Sequence, residues 1–213
     1  LGIPSSMQMF FEVALFTGAI WLCGMIGTTS QAANQIALSL ASLTFMFAMG
    51  LSVTAMIRVA NHKGLDDYKK LNTVAHSIFL MAIIVEIVFA VVFMLGCQFF
   101  PAFFVNSEMA LNATEIKEVL SISSKLLIVA AFFQISDGIQ VVVLGALRGL
   151  QDVKVPMYLT FIAYWIVGFP ISIYLGLYTN LKAEGVWIGL LAGLTAAAIM
   201  LYFRFRFLLK HHR

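Results

Sequence analysis

The chain has 213 residues, of which 62% are hydrophobic and 11% are charged, and its formal net charge is +3. Soluble domains contain about 45–50% apolar and about 25% charged residues. The composition therefore excludes an ordinary soluble domain and predicts a protein built for lipid, and so small a net charge gives no support to nucleic-acid binding.

Six apolar stretches along the chain are long enough to cross a membrane as helices, which takes about 20 residues each. Polar segments such as GTTSQ, NHKGLDDYKKLN and RGLQDVK separate them. The predicted spans are 4–27, 31–60, 74–97, 119–147, 155–177 and 185–208. Uninterrupted apolar runs favour helices over barrel strands. Because the connections are short, we expect one all-α, six-helix transmembrane bundle over residues 1–213.

The distribution of Lys and Arg predicts the orientation of the bundle, because basic residues in short loops remain on the cytoplasmic side. Ten of the 13 lie in or beside the second loop, the fourth loop and the tail: Arg58, Lys63, Lys69, Lys70, Arg148, Lys154, Arg204, Arg206, Lys210 and Arg213. The other three, Lys117, Lys125 and Lys182, lie on the opposite side among Glu108, Glu115, Glu118 and Glu184. We therefore expect a protein of the cell (inner) membrane with both chain ends in the cytoplasm.

Asp137 lies in the middle of the predicted fourth span, where an ionisable side chain costs at least about 2.5–3.5 kcal/mol and usually faces a cavity or a partner. Gln134 and Gln140 stand three residues before and after it, which gathers the three side chains on one helix face. Gly138 and Gly145 permit close approach of another helix or a ligand. The pattern predicts a cation or proton site; the alternative is an aspartate that only joins helices by hydrogen bonds to the glutamines.

Glu12 is a second deep carboxylate, on the first predicted span, and Gln8 lies four residues before it on the same face. We expect Glu12 to be the partner of Asp137 in one cavity. Two carboxylates that share a cavity repel each other unless a proton or a cation binds between them. The sequence therefore predicts a site for H⁺ or Na⁺ and does not choose between the two.

Other polar and aromatic residues within the spans give weaker signals. Glu86 has no polar neighbour at helical spacing, so a structural role is as compatible with the sequence as a role in transport. A polar row on the second span either lines an aqueous path or makes hydrogen bonds between helices; it consists of Asn34, Gln35, Ser39 and Ser42. Phe45 either packs between helices or faces a cavity that could hold an organic cation.

Arg148 ends the polar stripe of the fourth span and is followed by GLQDVKVP. We expect a tight cytoplasmic turn in which Arg148 binds nearby carbonyl groups or Asp152, and Pro156 starts the next helix.

The spans lack the His-Glu or Ser-Lys constellations of intramembrane enzymes, so the sequence predicts neither an enzyme nor a cofactor. Two classes of function remain as alternatives to ion-coupled transport. One is a flippase for a lipid-linked precursor, which would favour a more basic cavity than these acidic spans provide. The other is a membrane assembly subunit that transports nothing, in which the carboxylates only join helices.

Several segments together resemble the multidrug and toxic compound extrusion (MATE) transporters, in particular the carboxy-terminal half of the NorM type. They are the opening LGIPSSMQMFFEV with Glu12 and Val13, the start AANQI of the second span, and QISDGIQVVVLGALRGLQDVKVP. The resemblance covers essentially the whole chain.

The resemblance implies one of two pseudo-symmetric six-helix lobes of a twelve-helix transporter, with the amino-terminal lobe as its partner in the lipid membrane. Such transporters export organic cations and other amphipathic drugs in exchange for Na⁺ or H⁺, and the family's cation-site residues match Glu12 and Asp137. Phe133 stands where some members have a tyrosine, which removes a hydroxyl ligand. Because the chain starts at Leu1 without a methionine or a secretory leader, we expect it to begin partway through a longer protein.

Overall fold

The computed structural model describes residues 2–104 and 112–211. Leu1, residues 105–111 and residues 212–213 lie outside the described residues, and with them Glu108 and Arg213 of the orientation argument. The regular structure is helical: α1 (Gly2–Ile26), α2 (Thr28–Gly64), α3 (Tyr68–Gly96), α4 (Phe100–Phe104), α5 (Ala113–Gly149), α6 (Lys154–Phe161), a π-helical segment (Ile162–Gly168), α7 (Phe169–Leu177) and α8 (Lys182–His211).

Six spans in the described residues are long and apolar enough to cross a membrane, and the run from α6 through α7 counts as one of them. The predicted all-α membrane fold is therefore confirmed. Several helices are longer than the apolar stretches that predicted them: α2 and α5 each have 37 residues. At about 1.5 Å rise per residue such a helix is ~55 Å long, against a hydrocarbon core of ~30 Å. Both helices therefore extend beyond the hydrocarbon.

The break between α1 and α2 is a single residue, Gly27, with φ 155° and ψ 162°. This region of backbone conformation is open essentially only to glycine. The chain can therefore reverse direction between two membrane spans without a loop.

Helix α5 is the central element, because it packs against α2, α3 and α8. Its contact with α2 depends on small residues: a Cβ at Gly145 would overlap the Ser52 backbone, and one at Gly149 would lie 2.6 Å from the Met56 carbonyl oxygen. The Ser52 hydroxyl donates to the Val141 carbonyl at 2.8 Å. Small residues and interhelical hydrogen bonds are the usual basis of helix association in lipid.

The turn after α5 is held by basic residues other than the predicted one. Lys63 Nζ donates to the Leu150 carbonyl at 2.7 Å, and Arg204 Nε donates to the Asp152 carboxylate at 2.7 Å. The predicted contact of Arg148 with Asp152 is therefore wrong. Arg148 is the last residue but one of α5 and points toward α1 instead, where it reaches the side chain of Gln8.

Candidate functional site

A cavity of about 370 Å³ opens between α1, α2 and α5. Its lining combines aromatic rings, hydroxyl groups, one amide and one carboxylate: Phe16, Gln35, Leu38, Ser39, Ala41, Ser42, Phe45, Phe133 and Asp137. Six of the residues named from the sequence thus line one space, namely Gln35, Ser39, Ser42, Phe45, Phe133 and Asp137. A mostly apolar cavity with a few polar groups is typical of small-molecule sites.

Asp137 is the acidic residue of this lining and is 6% exposed. Its Oδ1 atom has no hydrogen-bond partner. The charged groups that act on it electrostatically are two further carboxylates, Glu12 of α1 and Glu86 of α3. Asp137 is thus a buried carboxylate with two others in electrostatic range, and both burial and like charge favour binding of a proton or a cation.

Gln134 and Gln140 occupy the same helix as Asp137, and both are buried. The oxygen and the nitrogen of each side-chain amide lack a hydrogen-bond partner. Neither residue is among those that line the cavity. The glutamines therefore leave polar atoms unsatisfied beside Asp137, whereas a purely structural cluster would satisfy them.

Glu12 is balanced differently from Asp137, because the charge acting on it is the guanidinium of Arg148. Arg148 Nη2 also donates to Gln8 Oε1 at 3.4 Å. Gln8 is buried and lies outside the cavity lining. Glu12 is likewise absent from the cavity lining, so it acts on Asp137 through its charge and not as a second residue of the cavity wall.

Glu86 is 1% exposed, and neither of its carboxylate oxygens has a hydrogen-bond partner. Its side chain lies against Gly138: a Cβ there would be 2.9 Å from the Glu86 carboxyl carbon. The missing side chain of Gly138 therefore lets a carboxylate of α3 approach the residue next to Asp137. Sequence spacing gave Glu86 little support because this neighbour belongs to another helix.

Tyr164 is a residue of the site that the sequence reasoning missed. It belongs to the π-helical segment, is fully buried, and lies within electrostatic range of Glu12 and Asp137, with its hydroxyl beside the Gln140 side chain. The Phe169 N–H donates to the Tyr164 carbonyl five residues earlier. π-helical turns occur frequently at functional sites. Pro170, just after this segment, is the sequence signal that could have indicated it, because proline disturbs the regular helix hydrogen bonds.

The polar row of α2 divides between the two roles that the sequence left open. Asn34 is buried, and its Oδ1 accepts a hydrogen bond from the indole N–H of Trp187 at 2.8 Å. Gln35, Ser39 and Ser42 line the cavity instead. One residue therefore joins α2 to α8, and the other three provide polar atoms to the cavity.

Comparison with known proteins identifies relatives along nearly the whole chain. A family model described as MatE matches residues 4–174. The chain is 37% identical over 210 residues to "Probable multidrug resistance protein NorM" of Agrobacterium fabrum, with 99% of this chain and 44% of that protein covered. It is 36% identical over 217 residues to "Multidrug resistance protein MdtK" of Yersinia pseudotuberculosis, covering 99% of this chain and 45% of that protein. The chain thus spans about half the length of the curated relatives it matches.

Solved structures share the fold at lower sequence identity. The crystal structure of the eukaryotic MATE transporter AtDTX14 matches all of this chain and 47% of its own, with a TM-score of 0.85 and 21% identity. An outward-facing multidrug resistance MATE family transporter of the MOP superfamily matches with a TM-score of 0.87 and 19% identity, over 100% of this chain and 46% of that one. The helices described above therefore have the arrangement of about half of such a structure.

Proposed function

The chain belongs to the MatE family of transporters, and from that membership we propose that it is the carboxy-terminal, cation-binding half of a multidrug exporter. In this proposal the exporter moves amphipathic drugs and organic cations out of the cell in exchange for H⁺ or Na⁺. Members of this family are transporters rather than enzymes, so transport is the activity to be tested.

One observation carries the proposal: Asp137 borders the cavity, and its carboxylate lies within electrostatic range of two others, those of Glu12 and Glu86. An ionised carboxylate is costly in the membrane interior unless it is balanced. A proton or Na⁺ from outside the chain would provide that balance. The aromatic rings of Phe16, Phe45 and Phe133 in the same lining would suit a flat organic cation, which carboxylates and ring faces both attract.

Exchange follows if the ion and the drug compete for this region. Occupation of Asp137 by an ion removes the negative charge that would attract a cationic drug, so each ligand favours release of the other. Within the described residues, no three His, Cys, Asp or Glu side chains are grouped closely enough to hold a metal ion. A Na⁺ ion would therefore need amide, hydroxyl or carbonyl oxygens besides Asp137, whereas a proton needs only one carboxylate oxygen.

The proposal includes a second lobe in the inner membrane, because alternating access in such transporters is the movement of one bundle against another around a central site. The relatives are about twice as long as this chain, which leaves room for an amino-terminal bundle of similar size. We expect the cavity of α1, α2 and α5 to face that bundle.

The decisive experiment is Asp137→Asn in the protein expressed from its complete gene. Asparagine keeps the size and hydrogen-bonding capacity of the side chain and removes only its charge and titration. We expect the variant to reach the membrane at normal levels and to lose drug export under an imposed H⁺ or Na⁺ gradient. Export is measured in proteoliposomes with each gradient applied separately, which also identifies the coupling ion. Normal export under both gradients would make Asp137 a structural residue.

Glu12→Gln provides a second readout on the same site. We expect a similar loss, and the double variant should be scarcely worse than either single variant, because the two carboxylates act as one unit. Asp66→Asn is a matched control, since Asp66 lies in the exposed turn between α2 and α3. If the losses of export in the two single variants add up in the double variant, Glu12 and Asp137 have independent roles.

The flippase alternative has less support, because none of the side chains that line the cavity is basic. An anionic lipid-linked headgroup would be repelled by Asp137. The assembly-subunit alternative predicts that the stability of the wild-type protein does not depend on pH or Na⁺, and that Asp137→Asn does not change this. Thermal unfolding of the purified wild type and variant at several pH values and Na⁺ concentrations tests it.

A further inference from the structure

A second, larger groove lies far from Asp137, between the start of α3 and the end of α8. Its volume is about 1250 Å³. Both helices pack on α5, and they meet each other where His76 and Phe79 of α3 contact Tyr202 and Phe205 of α8. The groove lies beside this contact, on the outside of the bundle. It lies at the end of the molecule that the distribution of basic residues assigns to the cytoplasm.

The charged side chains that line this groove are all basic: Arg204, Arg206 and Lys210. Arg204 is already paired with Asp152 at 2.7 Å. Arg206 and Lys210 are exposed and form no ion pair with any of the described residues. Two uncompensated positive charges, one helical turn apart on α8, thus face one space.

The acidic residues at the start of α3 do not neutralise these charges. Asp67 caps α3 by accepting a hydrogen bond from the Lys70 backbone N–H at 3.0 Å, and its carboxylate pairs with Lys70 Nζ at 3.3 Å. The hydrogen bond from the Lys70 backbone holds the pKa of Asp67 below its usual value. Asp67 is therefore ionised and already balanced by its own helix. Neither Asp66 nor Asp67 is among the residues that line the groove.

Aromatic side chains give the groove the composition of a membrane interface. Phe203 and Phe207 are 67% and 51% exposed on α8, and Tyr68 and Tyr202 line the groove beside them. Arg204 also lies over the Phe207 ring, 5.7 Å from its centroid. Exposed phenylalanines next to tyrosines and basic residues are typical of the level at which acyl chains meet headgroups.

We propose that this groove binds the phosphate headgroup of an anionic phospholipid of the cytoplasmic leaflet. Arg206 and Lys210 contact the phosphate, Asn72 provides a hydrogen-bonding group beside it, and Phe203 and Phe207 contact the acyl chains. Basic pockets between transmembrane helices on the cytoplasmic side are suited to such headgroups. The site is independent of the proposed exchange at Asp137, because it shares no residue with that cavity.

The test measures lipid binding by the purified protein, expressed from its complete gene, with Arg206→Gln and Lys210→Gln combined. Native mass spectrometry in detergent, with phosphatidylglycerol and phosphatidylcholine added at equal concentrations, reports the bound lipid. We expect the wild type to retain phosphatidylglycerol preferentially. Each basic residue near an anionic headgroup contributes roughly fivefold in affinity, so the double variant should bind phosphatidylglycerol about 25-fold more weakly.

The matched control is Arg58→Gln combined with Lys154→Gln, which removes the same charge from exposed positions at the same end of the molecule but outside the groove. It should keep the preference for phosphatidylglycerol, as should the charge-preserving pair Arg206→Lys and Lys210→Arg. Inorganic phosphate at millimolar concentration should not displace the lipid; displacement would assign the groove to a free anion and overturn the proposal. Equal binding of phosphatidylglycerol and phosphatidylcholine by the wild type would also overturn it. So would a loss of phosphatidylglycerol binding in the control variant as large as that in the groove variant.

Discussion

The carboxylates of Glu12, Glu86 and Asp137 lie at membrane depth and differ in what balances their charge. Glu12 faces the guanidinium of Arg148, Asp137 faces two other carboxylates, and Glu86 has no hydrogen-bond partner for either oxygen. An unbalanced charge in the membrane interior costs several kcal/mol. Of the three, Asp137 is the one that lines the cavity, and we therefore propose that it is the residue that loads an ion.

Gly138 is the residue that permits this arrangement, and Gly138→Ala tests it. The added methyl group would overlap the Glu86 side chain, so either the carboxylate or α3 must move. Overpacking of this kind costs about 1–3 kcal/mol. We expect a lower midpoint of thermal unfolding in detergent together with weaker ion-coupled export.

Gly50→Ala is the matched control for that substitution. Gly50 lies within α2, and a Cβ there meets nothing within 4 Å. Alanine is the better helix former by about 0.5–1 kcal/mol, so this variant should unfold at the wild-type temperature or above it. Equal unfolding temperatures for Gly138→Ala and the wild type would show that the position of the Glu86 side chain does not depend on the missing side chain of Gly138.

At the scale of the elements, the spans could be predicted from the sequence and the contacts between them could not. Runs of apolar residues predicted six crossings because lipid requires length and hydrophobicity, and spacing placed Gln134, Asp137 and Gln140 on one helix. Which neighbour each side chain meets depends on how helices pack. Arg204, 52 residues after Asp152, binds it, whereas Arg148, only four residues before it, turns toward α1.

The π-helical segment is the irregular element that the sequence analysis did not predict, and Pro170→Ala tests its role. Alanine restores a backbone N–H that can donate to the Ile166 carbonyl four residues earlier, which favours a regular helix. A change of one residue in register turns the preceding side chains by about 100°, so Tyr164 would leave Gln140. We expect export to fall at least as far as in Tyr164→Phe, with unchanged protein levels in the membrane.

Pro156→Ala is the control for Pro170→Ala, because it removes a proline from the first turn of the same span. Backbone N–H groups in the first turn have no helical partner in any case, so this substitution should leave export intact. Full export by Pro170→Ala would mean that the position of Tyr164 does not depend on the π-helical turn.

At the scale of the whole molecule, side chains from α1, α3, α5 and the π-helical segment converge on the centre of the bundle, while the two ends carry different charge. One end holds Lys63 and Arg204 in bonds that close the turn after α5. At the other end, Lys125 pairs with Glu184 at 3.1 Å. Most of the Lys and Arg residues lie at the first end, whereas Lys and Glu residues are nearly equal in number at the second. This difference predicts that the first end lies in the cytoplasm.

Single cysteines at the two ends test this orientation in whole cells. In a background with Cys23→Ala and Cys97→Ala, one cysteine is introduced at an exposed position: Lys69 or Lys154 at the basic end, Thr114 or Asn180 at the other. A membrane-impermeant maleimide should label Thr114→Cys and Asn180→Cys in intact cells, because those positions face the outside. Lys69→Cys and Lys154→Cys should react only after the membrane is opened. The reverse pattern would place the basic end outside, and the groove between α3 and α8 would then face the wrong leaflet for the proposed lipid.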